Sequence, residues 1–167
     1  MKKYLILFPI IFHLSVSSAF ACLCSGTPTV AEELKQATAI FSGKYTGAEY
    51  RKGIVDEFRK MEEQIDGKKV EYEVLVLKFE AQQWWKGSPA REVILITGVT
   101  RAADGMTSIP DCEIAFERGK LYLVYAYGKE SELGTDGCSR TARLSKARAD
   151  LRILGRGKKF KNGVFGF

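Results

Sequence analysis

The residues best able to do chemistry are four cysteines, Cys22, Cys24, Cys112 and Cys138. They are even in number, and two of them sit in a Cys22-Leu23-Cys24 triplet. Four cysteines can form two disulfides, hold a soft metal ion, or carry one reactive thiol. A disulfide enzyme is the weakest of these, because the triplet lacks the two-residue spacer of the usual redox motif. The single histidine, His13, lies in an N-terminal segment read below as a removable signal. A Ser/His/Asp or Cys/His nucleophile system is therefore not expected. If all four cysteines are bridged, a zinc site of His and Cys is not expected either.

What surrounds the triplet sets its context. Lys2 and Lys3 precede an apolar run from Tyr4 to Val16 that is too short to span a membrane. Ala19-Phe20-Ala21 then forms an A-x-A cleavage pattern directly before Cys22. Residues 1–21 are read as a signal peptide, and the mature chain is expected to start at Cys22, secreted or periplasmic. A lipid-bearing cysteine is the rival, but Phe20 is bulky where lipoprotein signals take a small residue. Cleavage leaves 146 residues (167 minus 21), which suits one domain. The net charge falls from +6 to +4 as Lys2 and Lys3 depart, and both signs are interspersed, so nucleic acid is not an expected partner.

In an oxidising compartment two disulfides are the default. A Cys22 to Cys24 bridge would close a tiny strained ring, so each is expected to reach across to Cys112 or Cys138, leaving two pairings open. Each bridge would close a loop of roughly 100 residues, for which chain entropy gives about 4.7 kcal/mol.

The elements that must position these cysteines read as mostly β. Thr29-Val30-Ala31-Glu32 has the form of a capping box opening a short helix to about Ala37, with Val30, Leu34 and Ala37 on one face. Ala39 to Tyr50 reads as a first strand, with Gly43 marking a bulge or bend. The charge-dense stretch 51–69, with Asp66-Gly67, reads as a solvated hairpin tip. A second strand covers Val70 to Gln83, ending at Trp84-Trp85-Lys86-Gly87, and further strands cover Glu92 to Gly98 and Leu121 to Tyr127. Thr100 to Asp111 reads as loop. Cys138 to Thr141 reads as a short last strand, followed by a helix capped by Ser145, carrying Leu144, Ala147, Leu151 and Leu154, and ended by Gly155. The basic tail, 156–167, lacks periodicity and is expected to be flexible. Trp84 and Trp85 are read as core and barrel-edge packing, and Arg140 as the partner of a nearby carboxylate.

Further stretches stand in a fixed order with the triplet: Cys22-Leu23-Cys24, Ala39-Ile40-Phe41-Ser42-Gly43-Lys44, Trp85-Lys86-Gly87, Cys112 with Phe116 and Gly119, Leu121 to Ala126, Cys138-Ser139-Arg140-Thr141, and Asp150-Leu151 to Leu154-Gly155. Together they resemble the netrin-like module, specifically the N-terminal domain of the tissue inhibitors of metalloproteinases. The resemblance covers most of residues 22–155. It implies a five-stranded OB-fold Greek-key barrel with two flanking short helices, and bridges joining Cys22 to Cys112 and Cys24 to Cys138. It also implies a monomer with no cofactor of its own, whose partner is a zinc metalloproteinase. In that mechanism the free amine and carbonyl of Cys22 chelate the protease zinc while Leu23 fills the specificity pocket. Cys24, Ser25 and a ridge of Ile109, Pro110, Asp111 and Cys112 line the contact. This chain lacks the family's third bridge in the domain and its cysteine-rich second domain, and Ile109-Pro110-Asp111 departs from the usual small and aliphatic ridge. The alternative is a non-inhibitory netrin-like module that holds an anionic polymer or an envelope surface through its basic loops and tail.

Overall fold

The long strands follow from runs of β-branched and aromatic residues with apolar side chains at alternating positions. The computed structural model describes residues 22, 24–52, 72–161 and 164–165. In chain order the elements are α1 (Val30–Gln36), β1 (Ala39–Lys52), β2 (Tyr72–Lys86), β3 (Glu92–Ala102), β4 (Thr107–Ser108), β5 (Leu121–Lys129), β6 (Glu132–Gly134), β7 (Ala142–Arg143), α2 (Arg148–Leu154), β8 (Lys158–Lys161) and β9 (Val164–Phe165). The protein is mainly β, an antiparallel sheet with two short helices and two disulfides.

The sheet runs β4-β3-β2-β1-β5-β6, with β7 on β5 and β8 on β2. Every strand from β3 across to β6 feeds one apolar cluster: Phe41 and Tyr45 from β1, Phe79 from β2, Leu95 from β3, Tyr122 and Val124 from β5, and Leu133 from β6. The sheet therefore curls, and Gly134 of β6 comes so close to β3 that a Cβ there would lie 3.0 Å from the Ile96 carbonyl oxygen. Phe41 stacks on Trp84 at 5.1 Å and meets Phe79 edge-on at 5.9 Å. The opposite face of β1 and β5 is covered as well: Ile40, Leu123 and Tyr125 pack with Ala37 and Ala147 at the helix termini. Burial on both faces explains why Ala39 to Gly43 is buried without alternation.

Curling needs bends. The β1–β2 register shifts between Ser42 and Gly43, where a Cβ would lie 3.0 Å from the Glu80 carbonyl oxygen, and again between Tyr45 and Gly47. Along β2 the buried set changes phase, from Val74 and Val76 to Leu77, Phe79 and Ala81. Strict alternation along a strand would keep Val76 and Leu77 on opposite faces, yet both are buried. A register shift against β3 between Val74 and Val76 accompanies the change.

Four sequence expectations are corrected. Thr100 to Asp111 is not all loop: β3 runs to Ala102 and β4 folds back on it through Asp104-Gly105, where Gly105 has φ 87° and Asp104 Oδ1 accepts from the Met106 N–H at 2.9 Å. Cys138 to Thr141 is not a strand; pairing with β5 waits until Ala142 and Arg143. The Thr141 hydroxyl accepts from the Tyr125 N–H at 3.0 Å, so a side chain takes the place of a ladder rung. Ser145 does not cap α2, which starts after Ala147 with no side-chain cap, although Gly155 does end it. Finally, Lys158–Lys161 forms a strand pairing Lys158 with Trp84 and Lys159 with Gln83. Gly157 permits that approach, since a Cβ there would lie 2.6 Å from the Trp84 carbonyl oxygen. The hairpin tip at 51–69 lies outside the described residues beyond Lys52, and of the inhibitory set Leu23 does too.

Candidate partner-binding edge

Three irregular segments meet at one edge: residues 24–29 ahead of α1, the stretch after β4 that carries Cys112, and the stretch after β6 that carries Cys138. Cys22 is bonded to Cys112 with Cα atoms 4.9 Å apart, and Cys24 to Cys138 with Cα atoms 5.4 Å apart. Two positions in one triplet are thus fixed to two different loops. Those loops are tied to each other by the Gly137 N–H, which donates to the Cys112 carbonyl at 2.7 Å. Asp136 shapes the second loop by accepting from the Cys138 and Ser139 N–H groups at 2.9 and 3.0 Å.

The N-terminal segment is also anchored where it enters α1. Thr29 and Glu32 form a reciprocal capping box, the Thr29 N–H reaching Glu32 Oε2 at 2.6 Å. One residue earlier, Arg140 Nη1 donates to the Pro28 carbonyl at 2.9 Å. The same guanidinium grips Asp150 with two hydrogen bonds, at 2.8 and 2.6 Å, a geometry that Lys cannot reproduce. The Tyr125 hydroxyl donates to Asp150 at 3.0 Å. Glu33, fully buried, accepts from the Arg140 N–H at 2.9 Å and from the Tyr127 hydroxyl.

This knot ties α1, β5, the Cys138 loop and α2 together. Arg140 beside it holds the Asp150 carboxyl below the usual carboxylate range against the opposing effect of burial. Burial pushes the Tyr125 and Tyr127 hydroxyls well above their ordinary values, and donation to Asp150 and Glu33 adds to the rise. Both phenols are therefore fixed as donors, and the carboxylate of Asp150 as an acceptor.

The ridge before Cys112 stands out from the body. Ile109 is 66% exposed, Met106 is 72% exposed, and Pro110 and Asp111 are exposed beside them. Pro110 rests on β3 at Gly98, where a Cβ would fall 2.5 Å from the proline ring. Just past the bridge, burial raises the Glu113 carboxyl above its ordinary range. The structure thus gathers Cys22, Cys24, Cys112 and Cys138 by covalent bonds, leaves Ser25, Ile109, Pro110 and Asp111 exposed, and keeps Trp84 in the core. Trp85 lies at the edge, donating to the Gly155 carbonyl at 3.0 Å.

Sequence reasoning missed Glu33, Tyr125 and Tyr127 as a set. One signal was available for Glu33: it shares the inward stripe of α1 with Val30 and Ala37, and the reading placed Leu34 there instead. Leu34 is 36% exposed. A carboxylate on an apolar stripe demands donors, and that demand points to the Arg140 segment. Compared with known proteins, the chain matches no family model and no curated protein.

Proposed function

We propose that the protein is a single-domain, netrin-like inhibitor of zinc metalloproteinases, exported and cleaved before Cys22. One observation carries the reading. Cys22 and Cys24 flank position 23 and are bonded to separate loops, Cys22 to Cys112 and Cys24 to Cys138, in the pairing the family resemblance implies. Supporting it, β1 pairs with both β2 and β5, and β6 lies against β3, as a small OB-type barrel requires.

The inhibitory chemistry follows from that staple. The α-amine of a mature Cys22 has an ordinary pKa of about 7.7 to 8.0, so a metal near neutrality readily takes its neutral form. Amine and carbonyl of Cys22 close a five-membered chelate on the protease zinc and displace the water held at its open position. Leu23 enters the specificity pocket, and pinning both neighbours lowers the ordering cost of binding. Met106, Ile109 and Pro110 supply an apolar flank. Exposed apolar residues grouped beside a rigid edge suit a protein partner.

The test titrates a panel of zinc endopeptidases with the mature chain and with a chain carrying one extra Ala before Cys22. Inhibition by the first and its loss in the second is expected, since an amide nitrogen is a poor zinc ligand. Equal behaviour of the two chains, or inhibition by neither, defeats the reading.

A further inference from the structure

The two bridges lie against each other. Cys22 Sγ is 3.6 Å from Cys24 Sγ and 3.7 Å from Cys138 Sγ, and Cys138 Sγ is 3.7 Å from Cys112 Sγ. All four sulfurs fall within 4.8 Å of one another, and each cysteine is half-buried. Four thiolates around a tetrahedral zinc at Zn–S of about 2.3 Å stand about 3.8 Å apart along every edge. Three of the four contacts between the bridges already have that spacing, and the fourth, Cys24 Sγ to Cys112 Sγ, lies within 4.8 Å. Only the two bonded edges are too short.

We propose that the reduced chain binds one zinc ion through Cys22, Cys24, Cys112 and Cys138. A dithiol donor supplies two electrons and two protons to each bridge, closing to its own disulfide, and the two S–S bonds become four thiols. Zinc then displaces four protons as four thiolates donate to it. Soft sulfur ligands in a tetrahedral set select zinc over magnesium or calcium.

Reduction need not scatter the ligands, because other contacts hold the three segments. Gly137 N–H keeps the Cys112 and Cys138 loops together, Arg140 holds the Pro28 carbonyl, and the capping box fixes Thr29. Only the short stretch ahead of Pro28 gains freedom. The Cys-x-Cys spacing is unlike that of zinc fingers, so it is the tertiary fold, not a local loop, that collects the four sulfurs. The metal would replace the bridges as the cross-link, keeping the N-terminal segment on the body where disulfides cannot persist. This proposal is independent of protease inhibition.

The test reduces the mature chain anaerobically with a phosphine, which gives two electrons to each disulfide while water supplies its oxide oxygen and the two thiol protons, and titrates it with Co(II) followed by Zn(II). One cobalt per chain is expected, with the absorption of a tetrahedral thiolate site, displaced by one equivalent of zinc. Zinc should shield all four thiols from alkylation while the far-ultraviolet circular dichroism stays that of the oxidised protein. Cys112→Ser and Cys138→Ser should each weaken binding by at least about tenfold, the least that disturbing a ligand set costs. Absence of the tetrahedral spectrum, a metal shared between chains, or Ser variants that bind as well as the parent overturns the proposal. So does equal affinity in the reduced chain held in denaturant, because the fold would then contribute nothing.

Discussion

The curled sheet and the knot beneath the N-terminal segment hold their residues in opposite ways. In the sheet, Phe41, Phe79, Leu95 and Val124 are buried almost completely and meet through apolar contact alone. Such packing is indifferent to pH, and its strength comes from area and close fit. At the knot, Glu33, Arg140, Asp150, Tyr125 and Tyr127 are joined by directional hydrogen bonds that fasten the irregular Arg140 segment to α1, β5 and α2. Here each group is satisfied only by particular partners, so loss of one strands another. Segments with little ladder structure are placed by bonds of specific geometry, whereas strands are placed by apolar pattern.

Substitutions should separate the two regimes. The largest expected effect is Phe41→Ala, at about 4 kcal/mol of unfolding free energy, because a fully buried ring leaves a cavity among Phe79 and Trp84. Urea unfolding at pH 7 and at pH 3 should show the same loss. Asp150→Ala comes next, at about 3 kcal/mol, since it strands the Arg140 guanidinium and the Tyr125 hydroxyl.

Asp150 should also sharpen the contrast through pH. Its folded-state carboxyl is held below the ordinary range, so the unfolded chain binds the proton more readily. Its stabilisation is therefore present above the unfolded value of about 3.9 and is lost as pH falls through the folded value. Denaturation midpoints followed from pH 7 down to pH 2 should drop less steeply for Asp150→Asn than for the parent. Parallel curves would count against the assignment.

Thr29→Ala should cost about 1 kcal/mol by removing one half of the capping box. Trp85→Phe is the smallest, about 0.5 to 1 kcal/mol, for the hydrogen bond to the Gly155 carbonyl at a half-exposed position. Thermal melts would resolve both, and a loss of 3 kcal/mol from either would blur the contrast between regions.

The two regimes also differ in how they could be read. Strands β1, β2, β3 and β5 were legible because apolar side chains recur along them, and the α1 capping box because Thr29 and Glu32 have the right types at the right spacing. The β3–β4 hairpin was missed, although Asp104-Gly105 is a turn signal, because β4 is two residues long and exposed. Cys138 to Thr141 looked like a strand but spends its bonding on Thr135, Thr141 and Asp136 side chains, which no periodicity reports. The phase change in β2 depends on pairing with a neighbouring strand, so alternation along one segment could not reveal it. The cysteine positions were visible at once, and the one-residue spacing of Cys22 and Cys24 narrowed them to two pairings. Nothing local chooses between those two, since Cys112 and Cys138 both lie on loops tied to each other by the Gly137 N–H.

The separations of the bridges, 90 and 114 residues, set a timetable as well as a geometry. At roughly 5 to 20 residues per second of synthesis, each N-terminal cysteine waits roughly 5 to 20 s for its partner to be made. Throughout that interval the nearest thiol to Cys22 is Cys24. An oxidant that meets the chain early captures the wrong neighbour, and the native pairing then depends on exchange once the sheet has formed. Thiol trapping on stalled chains of increasing length would read that order directly, with native bridges appearing only after Cys112 and then Cys138 have emerged.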